Sequence, residues 1–204
     1  MFRWTRAFIA IAGFSFASAA QAGEVLTFLN DYEGFLEAAG DVQTIDFETL
    51  PDGSPSYAGA DITPDFNYTS QGVAFSSPFP TLEIRGNETF GYGLAADCYP
   101  FCDHTWIVGD LVIPAFAVGT FIPSAGTLSI FDAKGELLAS ENYGAVDDVF
   151  IGFLSRTPIE SATVEKTGDH AFADSFHFSP VPEPGAVSLF GLGLVVLFGR
   201  RRAG

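Results

Sequence analysis

The sequence predicts an all-β fold, an antiparallel β-sandwich with one short helix near its N-terminal end. Three observations carry that reading. Short runs alternate apolar and polar residues, and turn-forming residues separate them at roughly 8–12 positions, the spacing of sandwich strands. The chain also holds 22 phenylalanines, bulky core material with almost no helical periodicity to absorb it. Alternation places most of these rings in a core and not on a ligand-stacking platform.

The helix comes first, at residues 30–40. Asn30 is the expected N-cap, Asp31 and Glu33 suit the positive end of the helix dipole, and Gly40 suits the stop. Tyr32, Phe35, Leu36 and Ala39 fall at i, i+3, i+4 and i+7, one apolar stripe for packing on a sheet. Residues 43–48 then switch to a period of two, with Ile45 and Phe47 on one face and Asp46 and Glu48 on the other. Residues 50–55, Leu-Pro-Asp-Gly-Ser-Pro, are a turn by their chemistry. Further strands are expected at 72–76, 81–85, 106–108, 111–118, 126–132, 136–141, 148–154, 160–165 and 173–179. Pro114 restricts its strand to an edge or a bulge. Asp132-Ala133-Lys134-Gly135 is a hairpin signal. Residues 54–70 lack periodicity and read as a long surface loop. The Asn67-Tyr68-Thr69 and Asn87-Glu88-Thr89 triplets match the glycosylation pattern by chance.

The two ends differ from what lies between them. Arg3 and Arg6, an apolar run from Ala7 to Ala20 and the small-x-small triplet Ala20-Gln21-Ala22 lay out a secretory signal peptide at 1–22. Residues 181–204 hold Pro182-Glu183-Pro184, a 14-residue apolar run from Ala186 to Gly199, and Arg200-Arg201-Arg202. A helix of that length covers roughly 21 Å, against a hydrocarbon core of about 30 Å, so as a single transmembrane helix it barely reaches across. Pro182 and Pro184 keep the peptide before it extended, and the arginines hold its far end on the cytoplasmic side. Residues 23–180 form one domain, large enough to bury a core without staples.

That domain holds 24 of the 25 acidic residues and, as basic residues, only Arg85, Lys134, Arg156 and Lys166, a net charge of −20. Such a surface repels nucleic acid and anionic headgroups, which excludes DNA and RNA as partners. Cys98 and Cys102 lie four apart around Pro100 in an exported chain, a spacing that suits a small local disulfide. The alternative is a metal site of Cys98, Cys102 and His104, although the spacing matches no common zinc pattern.

Val181-Pro182-Glu183-Pro184, the short apolar run and the terminal arginines resemble the PEP-CTERM sorting signal of Gram-negative bacteria. That resemblance implies a partner, exosortase, a membrane cysteine transpeptidase or protease. It also implies export through the inner membrane, transient anchoring there by the C-terminal helix, and release to the cell surface or the extracellular polysaccharide matrix. Pro182, Glu183 and Pro184 are then recognition residues of a substrate, and Arg200, Arg201 and Arg202 its membrane stop. A looser resemblance runs through 35–48, 150–159 and 173–178 to exported domains that are jelly-roll-like β-sandwiches.

By the same resemblance, a structural calcium ion would be held by Asp46, Glu48 and Asp174, hard oxygen donors on the first and last strands. The competing reading is three solvent-facing carboxylates on an acidic protein, with no cofactor at all. Trp106, Tyr92 and Tyr99 could stack on sugar rings or pack in the core. His104, His170 and His177 sit in no nucleophile motif, and neither Gly-x-Ser-x-Gly nor His-Glu-x-x-His occurs. The domain therefore reads as a non-catalytic interaction module associated with polysaccharide. A secreted hydrolase acting on polysaccharide and a purely structural matrix protein are the alternatives.

Overall fold

Alternating runs become antiparallel ladders across the domain. The computed structural model describes residues 24–87, 91–98, 102–123, 125–144, 149–168 and 170–180. The signal peptide expected at 1–22 and the tail at 181–204, with the transmembrane helix expected there, lie outside them. Within the described residues no helix is long and apolar enough to cross a membrane.

The elements run β1 (Val25–Leu29), α1 (Tyr32–Ala39), β2 (Gln43–Ile45), β3 (Ala60–Asp61), β4 (Val73–Ser76), β5 (Thr81–Asn87), β6 (Gly91–Asp97), β7 (His104–Ile122), β8 (Gly126–Phe131), β9 (Leu137–Tyr143), β10 (Val149–Thr167) and β11 (His170–Pro180). A short 3-10 helix, Tyr68–Gln71, precedes β4. All eleven strands join one antiparallel network in the order β3-β5-β6-β11-β7-β10-β8-β9. Outside that path β1 adds to β10, β2 to β11 and β4 to β7. The fold is all-β with one short α-helix.

Three strands change partners along their length, one of them β7, which pairs with β4 at 108–111 and with β11 at 115–121. β10 pairs with β1 through residues 151–155 and with β8 through residues 161–165, lying along β7 throughout. The register of β7 and β10 shifts between Leu154, Ile159 and Ser161, opposite the stretch that holds Pro114. Proline has no N–H to give the ladder, and both Pro114 and Pro158 fall in this irregularity. β11 pairs with β6 up to Ala173 and with β7 and β2 beyond it, the change occurring at a bulge where Ser175 has φ 48°.

The long strands are buried on both faces. Ile151 and Phe153 point into the main core with Val118, Ile122 and Phe178. Phe150, Ala117 and Phe35 of α1 form a second, smaller cluster on the opposite face. Helix α1 can settle there because Gly152 and Gly119 face each other across β10 and β7. A Cβ on Gly152 would lie 2.7 Å from the Phe35 ring, and one on Gly119 would lie 2.6 Å from that of Phe150. Removing the Phe35 ring from water contributes about 2–3 kcal/mol to holding the helix. Asp31, and not Asn30, caps α1, its Oδ1 accepting the Gly34 N–H at 3.0 Å. Asn30 instead takes a left-handed turn at φ 56° just before the cap.

Two expectations need correction. Strand β2 ends at Ile45, because Phe47 adopts φ 58° and leaves the ladder. Its burial pattern nonetheless holds, with Ile45 and Phe47 inside and Asp46 and Glu48 exposed. Residues 54–70 are also no mere surface loop, since Ala60, Ile62 and Tyr68 belong to the main core. Irregular backbone is affordable there because side chains satisfy it. Asn67 Oδ1 accepts from the N–H groups of Tyr68 and Phe75 at 2.9 and 2.8 Å, and its Nδ2 donates to the Phe75 carbonyl at 2.6 Å. The Tyr68 hydroxyl donates to the Thr49 carbonyl at 2.9 Å. The Asn67 amide is thus committed to the fold.

Candidate functional site

The sorting residues Pro182, Glu183, Pro184, Arg200, Arg201 and Arg202 lie outside the described residues. What the structure does place is their point of departure. Pro180, two residues before the Pro-Glu-Pro triplet, is still paired in β11, opposite Ala115 of β7.

Asp46, Glu48 and Asp174 are not brought together as a metal site. Among the described residues no group of three His, Cys, Asp or Glu side chains could hold a metal. Asp46 Oδ1 instead accepts from the Glu48 N–H at 3.0 Å, and Glu48 Oε1 accepts from the Tyr92 N–H at 2.9 Å. Both carboxylates are exposed, while Asp174 is buried beside the β11 bulge. Cys98 and Cys102 are joined by a disulfide with Cα atoms 5.8 Å apart, between the end of β6 and the start of β7. Of the aromatic residues weighed for stacking, Tyr92 packs against the core. Trp106 is half-buried with its ring centroid 4.9 Å from that of Phe79. Tyr99 lies outside the described residues.

The three histidines meet three different environments. His170 sits beside Asp97, which also pairs with Arg85, while Arg85 Nε donates to Glu83 Oε1 at 2.8 Å. This cluster ties β5, β6 and β11 together at one rim. His177 is 2% exposed and lies among Tyr32, Phe121 and Phe150, its ring 5.0 Å from that of Tyr32. Its Nδ1 hydrogen-bonds the Thr44 hydroxyl at 2.9 Å, and Nε2 has no partner among the described residues. Burial pushes its pKa down to about 4, since the charged ring cannot be hydrated there. His177 is neutral at ordinary pH.

His104 is exposed and borders a cleft. It opens β7 at the edge of this cleft of about 330 Å3, where its Nδ1 lies 2.9 Å from Glu165 Oε1. Lys166, Thr127, Asn142 and Tyr143 line the same cleft. The register explains their convergence. Glu165 of β10 lies opposite Thr127 of β8, and Thr127 lies opposite Asn142 of β9, so three adjacent strands present one polar row. Asn142 Nδ2 donates to Thr127 Oγ1 at 2.7 Å, which fixes the amide orientation. On the other side of Glu165 the row continues to Trp106 of β7.

Sequence reasoning missed this row. The polar positions of the alternating runs at 126–132, 136–141 and 160–165 were the available signal, but strand pairing was needed to align them. Strand β6 was also missed, because Leu94, Ala95 and Ala96 are all buried and no alternation marks the strand.

Residues 180–202 match the family described as the PEP-CTERM protein-sorting motif. No curated protein matches the chain. Among solved structures, the chain is similar to a mutant of the lectin-binding domain of lectinolysin complexed with Lewis b, with 9% identity, 69% of this chain and 92% of that one covered, and a TM-score of 0.34. It is also similar to TmCBM61 in complex with β-1,4-galactotriose, with 10% identity, 59% and 99% covered, and a TM-score of 0.27. A third is the enzymatically active domain of tailspike protein 4 of bacteriophage CBA120, with 11% identity and a TM-score of 0.34. That match covers 61% of this chain but only 22% of the tailspike chain.

Proposed function

We propose that this chain, which carries a PEP-CTERM protein-sorting motif at 180–202, is an exosortase substrate whose domain works as a non-catalytic interaction module in extracellular polysaccharide. The motif is the observation that carries the reading. Such a motif implies export and sorting to the cell surface, and the tail is then a handle that needs to hold only until it is cut. A 14-residue apolar run suits a temporary anchor better than a permanent one.

The fold is compatible with that fate. Every strand pairing of the described domain lies within residues 24–180, so a cut at the Pro-Glu-Pro triplet leaves all of them intact. We read the antiparallel network, whose strands change partners along their length, as a jelly-roll-like sandwich. Its net charge of −20 keeps the released domain soluble and away from anionic surfaces.

The test is the fate of the C-terminus. Mass spectrometry of the surface form from cells with exosortase should find residues 185–204 gone. Replacing Pro182-Glu183-Pro184 with three alanines should leave uncut protein in the inner membrane. An intact tail on the surface form of the wild-type chain sinks the reading.

A further inference from the structure

The cleft beside His104 gathers polar side chains from adjacent strands. We propose that it is a binding site for a neutral glycan, taking one or two sugar rings through Glu165, Asn142, Thr127, Lys166 and Tyr143. The proposal rests on the polysaccharide reading above and gives it a location.

Size is the first argument. At about 330 Å3 the cleft falls at the lower end of the roughly 300–1,000 Å3 that small-molecule sites occupy. That admits a terminal sugar or a disaccharide segment and excludes a large planar cofactor.

The second argument is the donor and acceptor set. A sugar presents neighbouring hydroxyls, each a donor and an acceptor at once, so its site needs both kinds of group close together. Glu165 is acceptor-only and Lys166 donor-only, while Asn142, Thr127 and the Tyr143 hydroxyl can do either. The Nδ2 bond of Asn142 to Thr127 leaves the Asn142 carbonyl oxygen free to face a ligand hydroxyl. The bond from His104 to Glu165 engages one carboxylate oxygen and leaves the other. These side chains stand on paired strands, so their spacing is set before any ligand arrives. Tyr143, half-buried against the core, also borders the cleft.

The third argument selects neutral sugars. Glu165 and Lys166, one charge of each sign, both border the cleft. Around them lies a domain of net charge −20, which repels uronic acids and sulfated or phosphorylated glycans. Trp106, in line with the row on β7, extends the surface along which a longer chain could run.

Isothermal titration of the full chain, kept in a sugar-free detergent, with cellotriose, mannotriose and chitotriose tests the site. Trigalacturonate serves as the anionic comparison. At least one neutral trisaccharide should bind saturably and more tightly than trigalacturonate. Asn142→Ala and Glu165→Gln should each weaken it about tenfold or more with the melting temperature unchanged. Equal binding by wild type and both variants overturns this site and leaves the polysaccharide reading standing. Preference for trigalacturonate overturns the neutral class. If no trisaccharide binds, the site is wrong. Co-sedimentation of the wild-type chain with matrix polysaccharide then decides the broader reading separately.

Discussion

Two histidines, near opposite ends of the same pair of long strands, show how this domain divides its labour. His177 sits in a dry aromatic layer under helix α1, with Tyr32, Phe35, Phe121 and Phe150 around it or beside it. His104 stands half-exposed in a polar cleft with Glu165. The residue type is the same, but the surroundings invert its role. Aromatic burial holds one ring neutral and structural, whereas water and a carboxylate leave the other available. Stability should therefore reside in the first region and recognition in the second.

The largest test of that division is Phe35→Ala. The ring is fully buried against Phe150 and above Gly152. Its removal should cost about 3–5 kcal/mol, the range for deleting a buried aromatic side chain. Chemical denaturation reads this directly, and a loss under about 1 kcal/mol would show that α1 packs only loosely.

Acid comes next. His177 has a folded pKa of about 4 against an ordinary 6.5, so as pH falls below 6.5 the unfolded chain binds a proton that the folded one does not. Stability contributed by the neutral ring is complete above 6.5 and declines until pH reaches about 4, for a total of about 3 kcal/mol. Urea midpoints between pH 7 and 5, above the range where most carboxylates titrate, should fall more steeply for wild type than for His177→Phe. Parallel slopes would mean that the ring is hydrated after all.

The smallest effect belongs to the cleft. Asn142→Ala and Glu165→Gln alter exposed polar groups and should change stability by no more than about 0.5 kcal/mol. A larger loss by either would make the polar row a structural feature and blur the contrast between the two regions.

How much of this was legible in the chain depends on the range of the forces involved. The stripe Tyr32, Phe35, Leu36 and Ala39 announced helix α1 because helical neighbours are three and four residues apart, and the packed faces agree. The turn at 50–55 was equally local, with Asp52 accepting from both the N–H and the hydroxyl of Ser54. Longer-range features were less visible. The runs at 106–108 and 111–118 belong to one strand, β7, and those at 148–154 and 160–165 fall on another, β10, because pairing carries each ladder past its proline. Tyr68 entered the core because Asn67 satisfied the surrounding backbone, a bond pattern that no periodicity announces.

By itself, the sequence determined the sorting tail, the acidic surface, the all-β class and the helix. Each is written in composition or in residues close together along the chain. Only tertiary structure decided that Glu165, Thr127 and Asn142 form one row, that Asp46 and Glu48 are exposed while Asp174 is buried, and that His177 is dry. These outcomes depend on strand register, on positive φ at Phe47 and Ser175, and on where a two-glycine platform lets a helix sit down. Register and packing are settled between distant segments, since a one-residue slip in pairing turns each side chain to the opposite face.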